Sequence, residues 1–414
     1  MVAIRSGDTT IVGVTPSEIF MGAGTEGLTA LDTMGPGFWA GFLSFELGHA
    51  LERVVPRGAS RDVATVPDVL FARFDARAVI APDGGVVLEG DSPGRELLEH
   101  AQRSIARAPH HERGSPTRVG DDVDAPWHSS FSRDEYRARV HEVLELLRAG
   151  ECYQVNLTRR LTCDHALDPI GLYRALVDGH PAPHAALLSF EVAGQQLAVV
   201  SASPELFLRR RGLRVETRPI KGTAASASRL RESAKDHAEN VMIVDLARND
   251  LGRVCTPGTI TVPALCAVEA HPGLHHLVST VRGQLRDDVG IGALVRATFP
   301  PASVTGAPKP RVLQAIEDLE PVRRGVYCGA IGWIDTAHDV AELAVAIRTF
   351  TISRAGSGSG TSGRTHLGVG GGIVADSQPD AEWAETELKA ARLLAIAGRE
   401  PGGARAVEPL LVAP

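Results

Sequence analysis

Arg218-Pro219-Ile220-Lys221-Gly222-Thr223 is the stretch on which the reading of this chain turns. A short apolar run carrying Leu213 and Val215 precedes it and predicts a strand. Pro219 pushes the residue before it towards extended backbone, and Gly222 permits a tight turn after Lys221. The pattern therefore predicts an ammonium at a strand end, where scaffolds tend to carry their chemistry. Composition sharpens the point: of 43 Lys and Arg, only Lys221, Lys235, Lys309 and Lys389 are lysines. Arg keeps its proton in a protein, whereas a partly desolvated Lys can become a free amine and act as nucleophile or base. The plainer alternative is a Lys221 paired with a carboxylate at a loop.

One hairpin upstream, residues 198–208 place Glu205 between apolar runs. A carboxyl in such surroundings has a raised pKa and can act as a general acid. It could equally be the partner of Arg209. If the two strands are neighbours, Glu205 and Lys221 meet as an acid and an amine. Downstream, a helix over residues 233–250 carries Asp236 and Glu239 at i, i+3, and a second helix, begun by Gln378-Pro379-Asp380, carries Glu382 and Glu385 with Lys389 one turn on. Two carboxylate pairs at the apolar border of two helices point to a hard-cation site. Mg²⁺ is the candidate, since it takes one or two carboxylates and completes its shell with water and substrate oxygens.

Ser132 and Glu135 predict a capping box, stapled by Phe131, for a helix whose buried stripe is Tyr136, Val140, Val143, Leu144 and Leu147, with Gly150 as its terminator. The following strand, residues 151–158, puts Tyr153, Val155 and Leu157 on one face and Gln154, Asn156 and Thr158 on the other. That polar face either lines a cleft or is the solvent side of an edge strand. Residues 299–311 read as a loop into a helix over 312–319, where Ser303, Thr305 and the Gly306 amide could bind an anion. Residues 325–334 read as a strand pairing with residues 343–352, and Arg348 in that second strand calls for an anion. The glycines Gly370, Gly371 and Gly372 allow close backbone approach to a ligand but lack the spacing of a nucleotide-binding loop.

Towards the N-terminus, residues 11–14, 38–45 and 69–74 predict strands, and Pro82-Asp83-Gly84-Gly85 predicts a hairpin between residues 78–81 and 86–88. Residues 92–130 read as a short helix (95–107) followed by a surface linker with His110, His111 and an acidic turn at Asp121, Asp122 and Asp124. The expectation is one large body: a variable part over 1–91, the linker over 92–130, a catalytic region over 131–398 including a flexible loop at 356–363, and a disordered tail over 399–414. Strands in hairpins rather than repeated βαβ units predict an α+β fold. With 414 residues, 43% of them hydrophobic, a large core is available, and a net charge of -7 gives no basic footprint for nucleic acid. Five cysteines without CxxC spacing predict reduced thiols. No signal peptide or membrane-spanning run is evident, so the expected location is cytoplasmic.

Over residues 131–398 these motifs, in this order, resemble the chorismate-utilising enzyme family. The resemblance rests on Cys152-Tyr153-Gln154-Val155-Asn156-Leu157, Ser203-Pro204-Glu205, Pro219-Ile220-Lys221-Gly222-Thr223, the run from Glu239 to Asp250, Ser303-Val304-Thr305-Gly306-Ala307-Pro308-Lys309, Ile347-Arg348-Thr349 and Gly370-Gly371-Gly372-Ile373-Val374-Ala375-Asp376-Ser377. Residues 35–48 are similar to the family's more variable first half. The implied fold is two antiparallel sheets packed as a sandwich, helices outside, with the active-site cleft between.

Two positions sort the relatives. Gln154 stands where isochorismate- and salicylate-forming members have a lysine base. Lys221 stands where anthranilate-forming members usually have Ala, and Pro183-His184-Ala185 replaces their tryptophan-sensing Pro-Tyr-Met. The resemblance therefore implies the branch that aminates chorismate to 4-amino-4-deoxychorismate, on the route to p-aminobenzoate and folate. Lys221 would be the covalent nucleophile at ring C2 and Glu205 the acid for the 4-hydroxyl. Glu239 and Glu385 would hold Mg²⁺, with Asp236 and Glu382 as nearby or water-mediated partners. Gln154, Gly222, Thr223, Ser303, Thr305, Tyr327, Arg348, Gly370, Gly371, Gly372 and Lys389 would bind substrate. No Gly-x-Cys-x-Gly glutaminase motif is present, so ammonia is expected from a separate glutamine amidotransferase. Formation of anthranilate or 2-amino-2-deoxyisochorismate, or binding of chorismate without catalysis, are the competing expectations.

Overall fold

Alternating apolar residues make strands, and strands with one buried face need a second layer to cover it. The computed structural model describes residues 1–56, 66–90, 93–107, 126–224, 226–271, 274–355 and 363–398. Among these residues the strands form two antiparallel sheets, one of 11 strands and one of 10. Trp39, Phe42, Phe45, Phe71, Phe299 and Phe350 are fully buried, each such side chain contributing roughly 1.5–3 kcal/mol. The α+β sandwich expected from the sequence is what forms.

The first third enters both sheets. Val2–Ser6 pairs with His184–Val192 in the larger sheet, while Phe38–Leu43 pairs with Ala330–Asp335 in the smaller. The expected hairpin is present, Ala76–Ile80 pairing with Val86–Gly90. The helix before the linker runs Pro93–Arg107. His110, His111 and the acidic turn lie outside the described residues, as do residues 356–362 and the tail from 399.

Helix Arg133–Arg148 begins with both halves of the capping box, and the Phe131 and Tyr136 rings meet edge to face at 6.1 Å. Tyr136, Val140, Val143 and Leu144 are buried, with Leu147 half-buried beside them. Helix Ala234–Gly252 is capped by Ser233, whose hydroxyl accepts the Asp236 N–H. Helix Pro379–Ala397 opens on a proline at its first position, where the missing N–H costs nothing.

The strand Gln154–Cys163 settles one of two open readings: it is not an edge but lies between Gly306–Ala307 and Gly363–Ile373, so Gln154, Asn156 and Thr158 are buried. Four segments differ from the sequence expectation. Tyr153 falls before the strand and is 70% exposed, off the face assigned to it. Residues 325–329 form a turn, and only Ala330–Asp335 is strand. The helix after the 299–308 loop starts at Lys309, whose ammonium is buried on Asp250 at 2.7 Å and on the Thr298 carbonyl at 2.6 Å.

The fourth difference positions the site. Residues 343–352 are two strands in different sheets: Val340–Val345 belongs to the smaller, Thr349–Ala355 to the larger. The chain also changes sheets between Gln195–Ser203 and Leu206–Arg211. Arg348 lies in the first crossover and Glu205 in the second. The crossovers are bonded to each other, since the Val345 N–H donates to the Glu205 carbonyl at 3.0 Å and the Ala202 N–H donates to the Arg348 carbonyl at 3.0 Å.

Candidate active site

The stretch around Lys221 runs along the strand Leu274–Gln284. Arg214–Arg218 pairs with its far half and Ile220–Ala224 with its near half, and between them the Ser279 N–H donates to the Pro219 carbonyl. Pro219 bends the chain without leaving the sheet. Lys221 is therefore not at a corner after the strand. It sits within Ile220–Ala224 at an irregularity where the register shifts, next to Gly222 with a φ of 83°. That left-handed backbone is one that glycine adopts without strain.

Lys221 Nζ donates to the Ser303 carbonyl at 3.2 Å. Burial lowers the pKa of this ammonium, and Lys389 adds to the shift against the opposing pull of Glu239, Glu205 and Glu385. Glu205 is 4% exposed. Its burial raises the carboxyl pKa to about 7, although the Ser303 hydroxyl, Lys221, the Ile220 N–H and Arg348 all favour its ionised form. Glu205 is not the partner of Arg209, which pairs with Glu342 and Glu216. The structure thus brings together an acid that keeps its proton near neutrality and an amine that gives its proton up more readily than an ordinary lysine.

Gln154 is fully buried, and among the described residues neither its amide nitrogen nor its oxygen has a hydrogen-bond partner. A Cβ added at Gly372 would lie 2.6 Å from Gln154 Nε2 and 3.5 Å from Lys221 Nζ, so this glycine leaves room for both side chains. Gly370, Gly371 and Gly372 are paired residues of the strand Gly363–Ile373 rather than a loose loop.

The two acidic helices face this centre. Asp236 packs against Gly222, with Cγ 2.9 Å from where a Cβ would be. Burial raises the Glu239 pKa, and Asp236 and Glu385 push it the same way. Burial also raises Glu382, as does Glu385, against the Ser377 hydroxyl that donates to it at 2.6 Å. Burial would raise Glu385, but Lys389, bridged to it at 2.6 Å, brings it below its ordinary value. Lys389 also donates to the Gly370 carbonyl at 2.8 Å. Among the described residues no three His, Cys, Asp or Glu side chains close on one point as a ready chelate. Glu239 is repelled by Asp236 and Glu385, and Glu382 by Glu385, a concentration of negative charge whose oxygen donors are of the kind a hard cation takes together with water and substrate oxygens.

Other expected binding residues divide. Thr223 Oγ1 lies 2.8 Å from His276 Nδ1. His276 was missed by the sequence reading, although His271, His275 and His276 within six residues, just before an apolar run, were a usable signal. Burial, then Arg348, His271 and His180, lower its pKa to about 3. Ser303 lies in the 3-10 turn Ala302–Val304, before the helix Lys309–Leu319, and contacts both Lys221 and Glu205. Thr305 is fully buried, and its hydroxyl donates to the Pro301 carbonyl within the turn. Tyr327 lines a small cavity, of about 20 Å³, with Thr158, Glu320, Arg324 and Gly368.

Fold and site define an α+β enzyme whose cleft presents an acid and an amine beside a bed of carboxylates. The chain belongs to the chorismate binding enzyme family, whose sequence model matches residues 4–395. It is 36% identical over 367 residues to aminodeoxychorismate synthase component 1 of Salmonella typhimurium, spanning 86% of this chain and 75% of that relative. It is 43% identical over 298 residues to an aminodeoxychorismate synthase of Streptomyces pristinaespiralis, spanning 69% of this chain and 40% of that one. An anthranilate synthase component 1 of Streptomyces coelicolor is 36% identical over 334 residues, spanning 75% of this chain and 63% of it. Among solved structures, anthranilate synthase component I from Streptococcus pneumoniae superposes with a TM-score of 0.77 at 24% identity, covering 94% of this chain and 92% of that one. No helix among the described residues is long and apolar enough to cross a membrane.

Proposed function

We propose that this chain aminates chorismate at C4 to give 4-amino-4-deoxychorismate, working in the cytoplasm on the route to p-aminobenzoate and folate. The observation that carries the reading is Lys221, an amine with a lowered pKa, sharing Ser303 with Glu205, whose carboxyl pKa is raised to about 7. Glu205 gives its proton to the departing 4-hydroxyl, which leaves as water, while the Lys221 amine adds at C2 and both conjugated ring double bonds shift towards C4. Ammonia then adds at C4, both double bonds return, and Lys221 leaves C2. Glu205, now a carboxylate, is placed to take up the proton shed by the amines. Splitting one substitution into two covalent steps lowers each barrier.

Glu239 and Glu385, helped by Asp236 and Glu382, would hold Mg²⁺, which supplies positive charge for the ring carboxylate. Arg348 is suited to a second carboxylate. The enolpyruvyl group is retained, its removal being the task of a separate lyase. Ammonia comes from a separate glutamine amidotransferase subunit. The test is product mass after incubating the chain with chorismate, Mg²⁺ and ammonium salts, then with glutamine in their place. The reading expects 4-amino-4-deoxychorismate with ammonium only. Anthranilate or 2-amino-2-deoxyisochorismate would overturn the activity, and ready turnover of glutamine by the lone chain would overturn the partner.

A further inference from the structure

Arg348 is held in an unusual way. It lies in the crossover between the sheets with a φ of 52°, a conformation that costs a non-glycine residue about 1 kcal/mol or more. Its Nη1 is 2.7 Å from His180 Nε2. A guanidinium has no acceptor atom, so the imidazole must accept, which fixes a neutral His180 with its proton on Nδ1. Burial, followed by the nearby Arg348 and Arg392, lowers the His180 pKa to about 4, in keeping with that tautomer. Among the described residues no Asp or Glu lies within ion-pairing distance of Arg348, although Glu205 attracts it electrostatically.

His180 is itself fixed. It ends helix Pro169–Gly179, its N–H donates to the Leu176 carbonyl at 2.7 Å, and it is 8% exposed. Arg392 braces the same corner through the Gly179 carbonyl at 2.7 Å. A carboxylate in place of the imidazole would orient Arg348 but cancel its charge. A neutral ring acceptor orients it and leaves the charge, with the remaining N–H groups, for an incoming anion.

We propose that His180 is a positioning residue that aims the Arg348 guanidinium at a carboxylate of the substrate. The identity of that substrate rests on the function proposed above; the geometry does not. Three variants test the inference: His180→Leu, His180→Gln and His180→Glu, with chorismate KM, kcat and thermal midpoint measured for each. His180→Leu should raise KM roughly 10- to 100-fold, the range of a hydrogen bond to a charged group, with kcat within about threefold of wild type. His180→Gln, which keeps a neutral acceptor, should recover most of the affinity. His180→Glu should bind worse than His180→Leu, because it neutralises Arg348. An unchanged KM in His180→Leu, or a fall in kcat matched by lost thermal stability and not repaired by Gln, would overturn the role. Product mass from the wild type separates the two readings, because a product other than 4-amino-4-deoxychorismate sinks the reaction while the KM ratios still decide His180.

Discussion

Glu205 and Lys221 meet at one residue: Ser303 offers its hydroxyl to the Glu205 carboxyl and its carbonyl to the Lys221 ammonium. The acid comes from a sheet crossover and the amine from a strand irregularity, yet a buried 3-10 turn, Ala302–Val304, holds both. Their proton affinities are shifted toward each other, the carboxyl up and the ammonium down, which narrows the gap a proton must cross between them.

Lys221→Ala should abolish turnover with ammonium or slow it strongly, and Lys221→Arg should not restore it, since arginine cannot supply a free amine. Intact-protein mass spectrometry after incubation with chorismate and no ammonia should show an adduct on the wild type and none on Lys221→Ala. Equal rates in wild type and variant would exclude the covalent route.

The pH profile follows from the same pair. Glu205 must be protonated and Lys221 neutral, so the two titrate as a coupled system. With free ammonia held constant, kcat/KM should fall as pH climbs through about 7, the Glu205 value. Glu205→Gln should lower kcat by on the order of 10²- to 10⁴-fold, and its residual rate should lack that alkaline limb. An unaltered limb in the variant would assign it to another group.

Stability should carry the same signature. Between the ordinary glutamate pKa of 4.5 and about 7, the folded protein holds the Glu205 proton while the unfolded chain has released it. Stability is therefore lost as pH rises through that window, by about 3 kcal/mol for a shift of this size. Glu205→Gln should melt like wild type at pH 4.5 and above it at pH 8. Coincident melting curves at pH 8 would deny the raised value.

The acidic helices predict metal dependence. Glu239→Gln and Glu385→Gln should raise the Mg²⁺ concentration needed for half-maximal rate more than Asp236→Asn and Glu382→Gln, for which roughly 10- to 100-fold is expected. Mg²⁺ should also raise the thermal midpoint of the wild type, a readout independent of turnover. No Mg²⁺ effect on either measurement would remove the cation from the site.

Gly372→Ala tests how tightly the centre is packed. The added carbon would stand 2.6 Å from Gln154 Nε2, so Gln154 must move and Lys221 is crowded. Overpacking of this kind costs about 1–3 kcal/mol, and kcat/KM should fall by more than the stability loss explains. A variant with wild-type kinetics would show that Gln154 has room to yield.

Some of this was open to a linear reading. The Ser132 capping box, the hairpin about Gly84 and the i, i+3 carboxylates depend on neighbours within a few residues, and they formed as expected. The misses share one cause. Residues 343–352 look like a single apolar strand because both its halves are buried, and nothing local says that they are buried in different sheets. The Gln154 face stayed open between a cleft lining and the solvent side of an edge, because periodicity reports alternation, not what covers each face. His180 stands three residues before Pro183, and nothing local marks it as the partner of an arginine 168 positions on.

By itself the sequence determined the elements, the strand-rich α+β class and the chemical inventory: one lysine in a Pro-x-Lys-Gly-Thr setting, one glutamate between apolar runs, and two acidic helices. Propensity, capping and side-chain chemistry are local, so residue order is enough to state them. Only the tertiary structure decided that the two sheet crossovers bond to each other, that Ser303 joins acid to amine, and that a neutral His180 holds Arg348. Those contacts link residues 82 to 168 positions apart, and the burial that shifts their proton affinities exists only once both sheets have closed over them.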